Sequence, residues 1–240
     1  AKRDHASLLG LSAKDLRDAV GDLLGDAHQF ALYGERLGDW CAFTEALLGR
    51  ARSVSMERPW RSDVIDVRGL PVGVLSLCTA WASGSDDRKG SLILGERQIH
   101  DMVAEARDGG AQVVIALMHH PLHWLHDEEY SAIRGRLERN VDVVLHGHVH
   151  DAHVALHLAA GSEHMEIGAG AAYAGLDQDR YHGFSVGRFD IAKARLDMHC
   201  FTWSTQSGRW HPAAGVRGAD DDGRVELGEQ VFEDEHSAGI

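Results

Sequence analysis

The apolar positions along this chain follow a helical period first, then short continuous runs, then an alternating pattern. Over residues 12–50, Leu16, Val20, Leu23, Leu24 and Ala27 recur on one helical face, and Leu37, Trp40, Cys41, Thr44, Leu47 and Leu48 make a second stripe. Ser12 with Asp15 three residues later has the form of a capping box. A break near residues 33–38 divides the segment into an α-hairpin expected to pack on the main domain. Residues 51–62 are polar, contain Pro59 and read as a linker. Two strands are expected at 64–67 and 72–77, flanking the turn sequence Arg68-Gly69-Leu70-Pro71. Residues 81–90 read as a loop. Residues 96–107 predict an amphipathic helix with Ile99, Met102, Val103 and Ala106 inward, ended by Asp108-Gly109-Gly110.

The stretch from residue 113 to 154 organises the rest. Two apolar runs, 113–118 and 141–145, each stop abruptly at histidines: His119-His120-Pro121 after the first, His146-Gly147-His148-Val149-His150-Asp151 after the second. Short apolar runs of this kind read as buried parallel strands. A helix near 128–139 between them completes a β-α-β unit with a right-handed crossover. Functional groups of α/β sheets gather beyond the carboxyl ends of strands, so both strands would deliver imidazoles to one rim. Neutral imidazole is a common ligand for Zn, Fe, Ni and Cu. With 17 His in the chain, a lone histidine means little. Gly-His-Xaa-His directly after one buried strand, with His-His-Pro after the previous one, points to a metal site.

Past residue 151 the pattern alternates. Residues 153–158 and 163–167 predict antiparallel strands, 168–172 a close-packed turn of small residues beside the site, and 183–190 with 195–203 a hairpin. From residue 215 glycines and acids dominate, which reads as a mobile tail. No internal repeat is visible.

Composition narrows the class. The chain has 240 residues, 44% apolar and 25% charged, as in an ordinary soluble globular protein. No run of about 18 apolar residues exists, and no apolar segment follows Ala1-Lys2-Arg3-Asp4-His5, so neither a membrane span nor a signal peptide is expected. A formal charge of −13 argues against binding to a nucleic-acid backbone but not against a phosphate substrate, because bound cations can dominate the local field. Cys41, Cys78 and Cys200 are widely spaced and form no CxxC pair, which suits reduced thiols in a cytoplasmic protein.

The two histidine motifs resemble those of the calcineurin-like metallophosphoesterases. Met118-His119-His120-Pro121 is similar to the family's fourth motif, and Gly147-His148-Val149-His150 to its fifth; the likeness covers about residues 65–205. It implies an α/β fold, the C-terminal half of an αββα sandwich without its N-terminal half. The expected organisation is a helical segment and linker over 1–62, the core over 63–212 and an acidic tail over 213–240. It also implies two divalent or trivalent ions (Mn, Fe, Zn or Ni) that polarise a phosphoryl group and acidify a water for in-line attack. By this resemblance His119 and His148 bind one ion and His150 the other. His120 is placed to reach substrate, His146 and His153 to support the ligands, and Asp151 to orient a ligand imidazole. His123 and His126 fall on the loop after Pro121, at the mouth.

The family's first three motifs, which carry the bridging Asp, an Asn ligand and the leaving-group acid, have no counterpart in a strand-end context. Gly21 to Asp26 and Asp26-Ala27-His28 copy two of them loosely, but inside the helical pattern, where acids on a solvated face are expected. The chain therefore reads as a piece of a longer metal-dependent phosphoesterase, with a phosphate-ester substrate and further domains as its partners. A catalytically inactive metal-binding or regulatory module on the same scaffold is the alternative. A mononuclear zinc hydrolase using His119, His148 and His150 is a third.

Overall fold

The computed structural model describes residues 5–83, 89–149, 153–159, 162–172, 182–190, 195–214, 216 and 219–227. The chain divides into two compact units, Ala1–Val144 with Leu158–His164, and Leu145–His157 with Met165–Ile240. Helices α1 (His5–Leu9), α2 (Ala13–Gly25), α3 (Ala27–Gly34) and α4 (Gly38–Leu48) come first. Then follow β1 (Arg61–Val67), β2 (Leu70–Ser76), α5 (Glu96–Asp108), β3 (Val113–Met118), α6 (Asp127–Asn140), β4 (Val143–His146), β5 (His153–Ala159) and β6 (Ser162–Gly168).

This is a mixed α/β fold. Its larger sheet has six strands in the order β1-β2-β3-β4-β6-β5. β1 and β2 are an antiparallel hairpin, with Arg68 and Gly69 of the turn both at positive φ. β2 and β3 are parallel, Val72 opposite Val113 and Leu75 opposite Ala116, with α5 as the crossover. A Cβ on Gly73 would lie 2.9 Å from that of Ala106 and 3.1 Å from that of Ala111, so the bare glycine lets α5 settle close to β2. Leu75, Val114, Ala116, Ile99, Met102 and Ala106 are each no more than 1% exposed in the resulting core.

The helical segment shares this core. Leu16, Val20, Leu23 and Leu24 of α2 and Phe30 of α3 belong to the same buried cluster as Leu75 and Val114. The Ser12 hydroxyl accepts the Asp15 amide, which starts α2. The segment breaks at Asp26 (φ −114°, ψ 96°) as well as between α3 and α4. Asp26 is therefore a cap between helices rather than a residue inside one: its carboxylate accepts the Gln29 amide at 3.0 Å and the Gln29 side chain at 2.8 Å. The second stripe is only partly covered. Cys41 and Thr44 are buried, while Trp40, Phe43, Leu47 and Leu48 are each more than half exposed, because α4 meets the unit along one narrow edge. The expected linker ends in the core instead, where the Trp60 ring lies 5.1 Å from Phe30 and Trp81 lies 5.3 Å from it. Trp81, expected on a loop, is fully buried in the short 3-10 turn Ala80–Ala82.

In the second unit, β7 (Gly183–Asp190) and β8 (Arg195–Ser204) form the expected antiparallel hairpin. The other edge of β8 is shared end to end by β9 (Arg209–Pro212) and β10 (Arg224–Leu227). Leu196, Met198, Cys200 and Val225 are buried. The acidic stretch after residue 213 therefore opens with a strand, not a tail. The Asp220 carboxylate accepts the amides of Asp222 and Arg224, Gly223 turns at φ +70°, and the Arg224 guanidinium reaches Asp197 at 2.9 Å. That salt bridge holds the Asp197 carboxyl below the usual carboxylate range. The remainder of the expected tail, 228–240, lies outside the described residues. Among the described residues no helix is long and apolar enough to cross a membrane.

Candidate metal centre

The first histidines stand at the carboxyl end of β3. The β2–β3 pairing continues one step past the end of β2, with the Leu77 amide donating to the Leu117 carbonyl at 2.8 Å, so the end of β3 leading into His119 is held. His119 is exposed and His120 is 4% exposed; their rings meet edge to face at 4.7 Å. The buried ring lies 6.1 Å from the roughly parallel Trp124 ring, and its Nδ1 is 2.7 Å from the Thr79 hydroxyl.

β4 ends on the next group. His146 closes the strand at 3% exposure, with Nε2 3.1 Å from a Glu166 carboxylate oxygen and Nδ1 3.3 Å from the Gly147 carbonyl. The Glu166 carboxylate is within ion-pairing distance of the ring. His148 follows at φ +70°, where the Val149 amide donates back to the Gly147 carbonyl at 2.9 Å. This is a three-residue turn with histidine at its centre, a left-handed position that only glycine adopts without cost.

His119 and His120 of the first unit each offer a ring nitrogen, and the two atoms lie within 4.8 Å of each other. His148 belongs to the second unit. Neutral imidazoles of this kind can bind a metal and suit a borderline transition ion better than Mg or Ca.

The sequence-based residues distribute as follows. His119 pairs with His120, which the sequence placed toward substrate instead, and His148 stands in the turn after β4 in the second unit. His150, Asp151 and the side chain of His153 lie outside the described residues. His146 sits beside Glu166. His123 is exposed in the 3-10 turn after Pro121, and His126 stands at the start of α6 with its Nδ1 buried. Asp26 is occupied with capping, and the Gln29 amide it accepts lowers its pKa. Thr79 and Glu166 went unnoticed in sequence. Neither belongs to a motif, and each reaches its histidine from a different part of the chain.

No protein-family model matches the sequence, and no curated protein matches it. Two solved structures are similar over part of their length. One is a single mutant of Vps29 from Entamoeba histolytica, 17% identical over 63% of this chain and 59% of that one, with a TM-score of 0.29. The other is a double mutant of the same protein, 15% identical over 64% and 59%, with a TM-score of 0.28. The chain thus spans less than two thirds of either, and scores this low do not assign a shared fold.

Proposed function

We propose that this chain carries the metal-binding histidines of a metal-dependent phosphoesterase. The observation that supports the reading best is the His119–His120 pair at the end of β3, with ring nitrogens within 4.8 Å of each other. Support also comes from the Gly147-His148-Val149-His150 motif that follows β4. Bound there, a transition ion supplies Lewis-acid polarisation of a phosphoryl oxygen and lowers the pKa of water. The protein's own part is to hold the donors. His120 is fixed by burial and the Thr79 hydroxyl, His148 by its turn, and exposed His119 leaves one side open to an ester. The substrate class is a phosphomonoester or phosphodiester. His150 is the first candidate among the ligands for a second ion.

A catalytically inactive metal-binding or regulatory module is the second reading. The lack, in a strand-end context of the sequence, of the motifs that carry the bridging carboxylate favours it, since a second ion and a bridging ligand need one.

Calorimetric titration of the metal-stripped protein with Zn²⁺ and Mn²⁺ tests the metal site. The expected result is stoichiometric Zn²⁺ binding, weakened at least about 100-fold by His120→Gln or His148→Ala, since each removes a proposed ligand. Wild-type affinity in both variants would remove the site.

A further inference from the structure

We infer that Thr79 is a positioning residue for His120: its hydroxyl accepts the Nδ1 proton and so keeps Nε2 as the ring's acceptor nitrogen. Both the tautomer and its metal consequence rest on the reading of His120 as a ligand, and the tautomer is measured independently of metal binding.

A neutral imidazole carries one N–H, and its other nitrogen is the acceptor. Only a nitrogen lone pair binds a metal. Thr79 Oγ1 lies 2.7 Å from His120 Nδ1, with Thr79 1% and His120 4% exposed, so bulk water does not compete at this contact. A hydroxyl can donate or accept there. If it donated, Nε2 would keep the proton and could not ligate. If it accepts, Nε2 presents its lone pair. Metal-binding histidines commonly donate their second N–H to an oxygen, which fixes both tautomer and ring orientation.

The surroundings make Thr79 a fixed post. Gln98, fully buried on α5, holds both backbone groups of the preceding residue: its Oε1 accepts the Cys78 amide at 3.1 Å, and its Nε2 donates to the Cys78 carbonyl at 3.1 Å. The same Nε2 donates to the Leu94 carbonyl at 2.7 Å, which also accepts the Trp81 indole N–H at 3.3 Å. Trp81 lies two residues past Thr79 and is fully buried. The hydroxyl is thus anchored through α5 and the 3-10 turn, while Trp124 flanks the imidazole.

Long-range ¹H–¹⁵N correlation spectra of the metal-free protein at a pH where His is neutral read the tautomer directly, with His120→Gln assigning the resonance. We expect the Nδ1–H form in the wild type, its loss in Thr79→Val and its return in Thr79→Ser. In parallel, Zn²⁺ affinity should fall about 10–100-fold in Thr79→Val, the usual range for losing such a supporting hydrogen bond, and recover in Thr79→Ser. An Nε2–H form in the wild type overturns the inference, and that measurement needs no variant to fold. So does a Thr79→Val protein with unchanged tautomer. If the wild type shows the Nδ1–H form but binds no Zn²⁺, the tautomer assignment stands and the metal reading is what fails.

Discussion

His148 holds a backbone conformation that its side chain does not favour. Its φ of +70° puts a side-chain-bearing residue in the left-handed region, which costs L-residues about 1–2 kcal/mol, although His tolerates it better than most. Strain of this kind persists where the surroundings enforce it and often marks a functional position. The cost can be read from two variants that both lack the imidazole. His148→Gly should be more stable to urea than His148→Ala by about 0.5–1 kcal/mol, because glycine meets no steric penalty at positive φ while losing more chain entropy on folding. Both should bind metal equally poorly. Equal stabilities would mean that the turn stores no strain. At this scale the sequence was partly legible. His119, His120 and His148 stand out because each follows an apolar run that stops at once. Thr79, 41 residues before His120, does not, because a single threonine beside a buried strand carries no pattern of its own.

Helix α6 exports an electrostatic consequence to the loop before α5. Glu129, in its first turn and 7% exposed, accepts the Leu94 amide at 2.8 Å and the Gly95 amide at 2.6 Å. Burial pushes its carboxyl from 4.5 up to about 7, and the two amides only partly oppose that; Glu96 nearby raises it further. The folded state therefore binds this proton more tightly than the unfolded chain. The resulting stability is fully present below about pH 4.5 and is lost as pH rises through about 7. Glu129→Gln should flatten the part of the pH–stability curve between those limits, a difference of up to about 3 kcal/mol at one pK unit per 1.36 kcal/mol. Urea midpoints of both proteins at pH 5, 6, 7 and 8 check this, and parallel curves would contradict it. Element existence was legible wherever a periodic run was long, as in α2, α5 and α6. Coverage was not. Spacing marks Trp40 and Leu47 as one face of a helix but cannot say that both stay more than half exposed. β10 was hidden because its apolar content amounts to Val225 and Leu227 within an acidic, glycine-rich stretch.

For the molecule as a whole, the arithmetic of donors sets the expected activity. On the reading of this chain as one part of a two-ion phosphoesterase, its histidine motifs come without the strand-end motifs that carry the bridging carboxylate and leaving-group acid of the two-ion mechanism. The 240-residue chain with added Mn²⁺ should therefore hydrolyse a generic chromogenic phosphodiester slowly, because absence of a general acid alone costs about 10²–10⁴-fold. Robust metal-dependent turnover that disappears in His150→Ala would show instead that the remaining ligands lie within this sequence. The tryptophans bear on how any such variant is followed. Trp60 and Trp81, at 7% and 0% exposure, sit in the first unit, whereas Trp203 and Trp210 of the second are already about 40% exposed in the native state. The red shift of intrinsic fluorescence on denaturation is thus dominated by the first unit. A loss of structure confined to β7–β10 would pass almost unseen in an emission trace and has to be followed by circular dichroism or amide exchange.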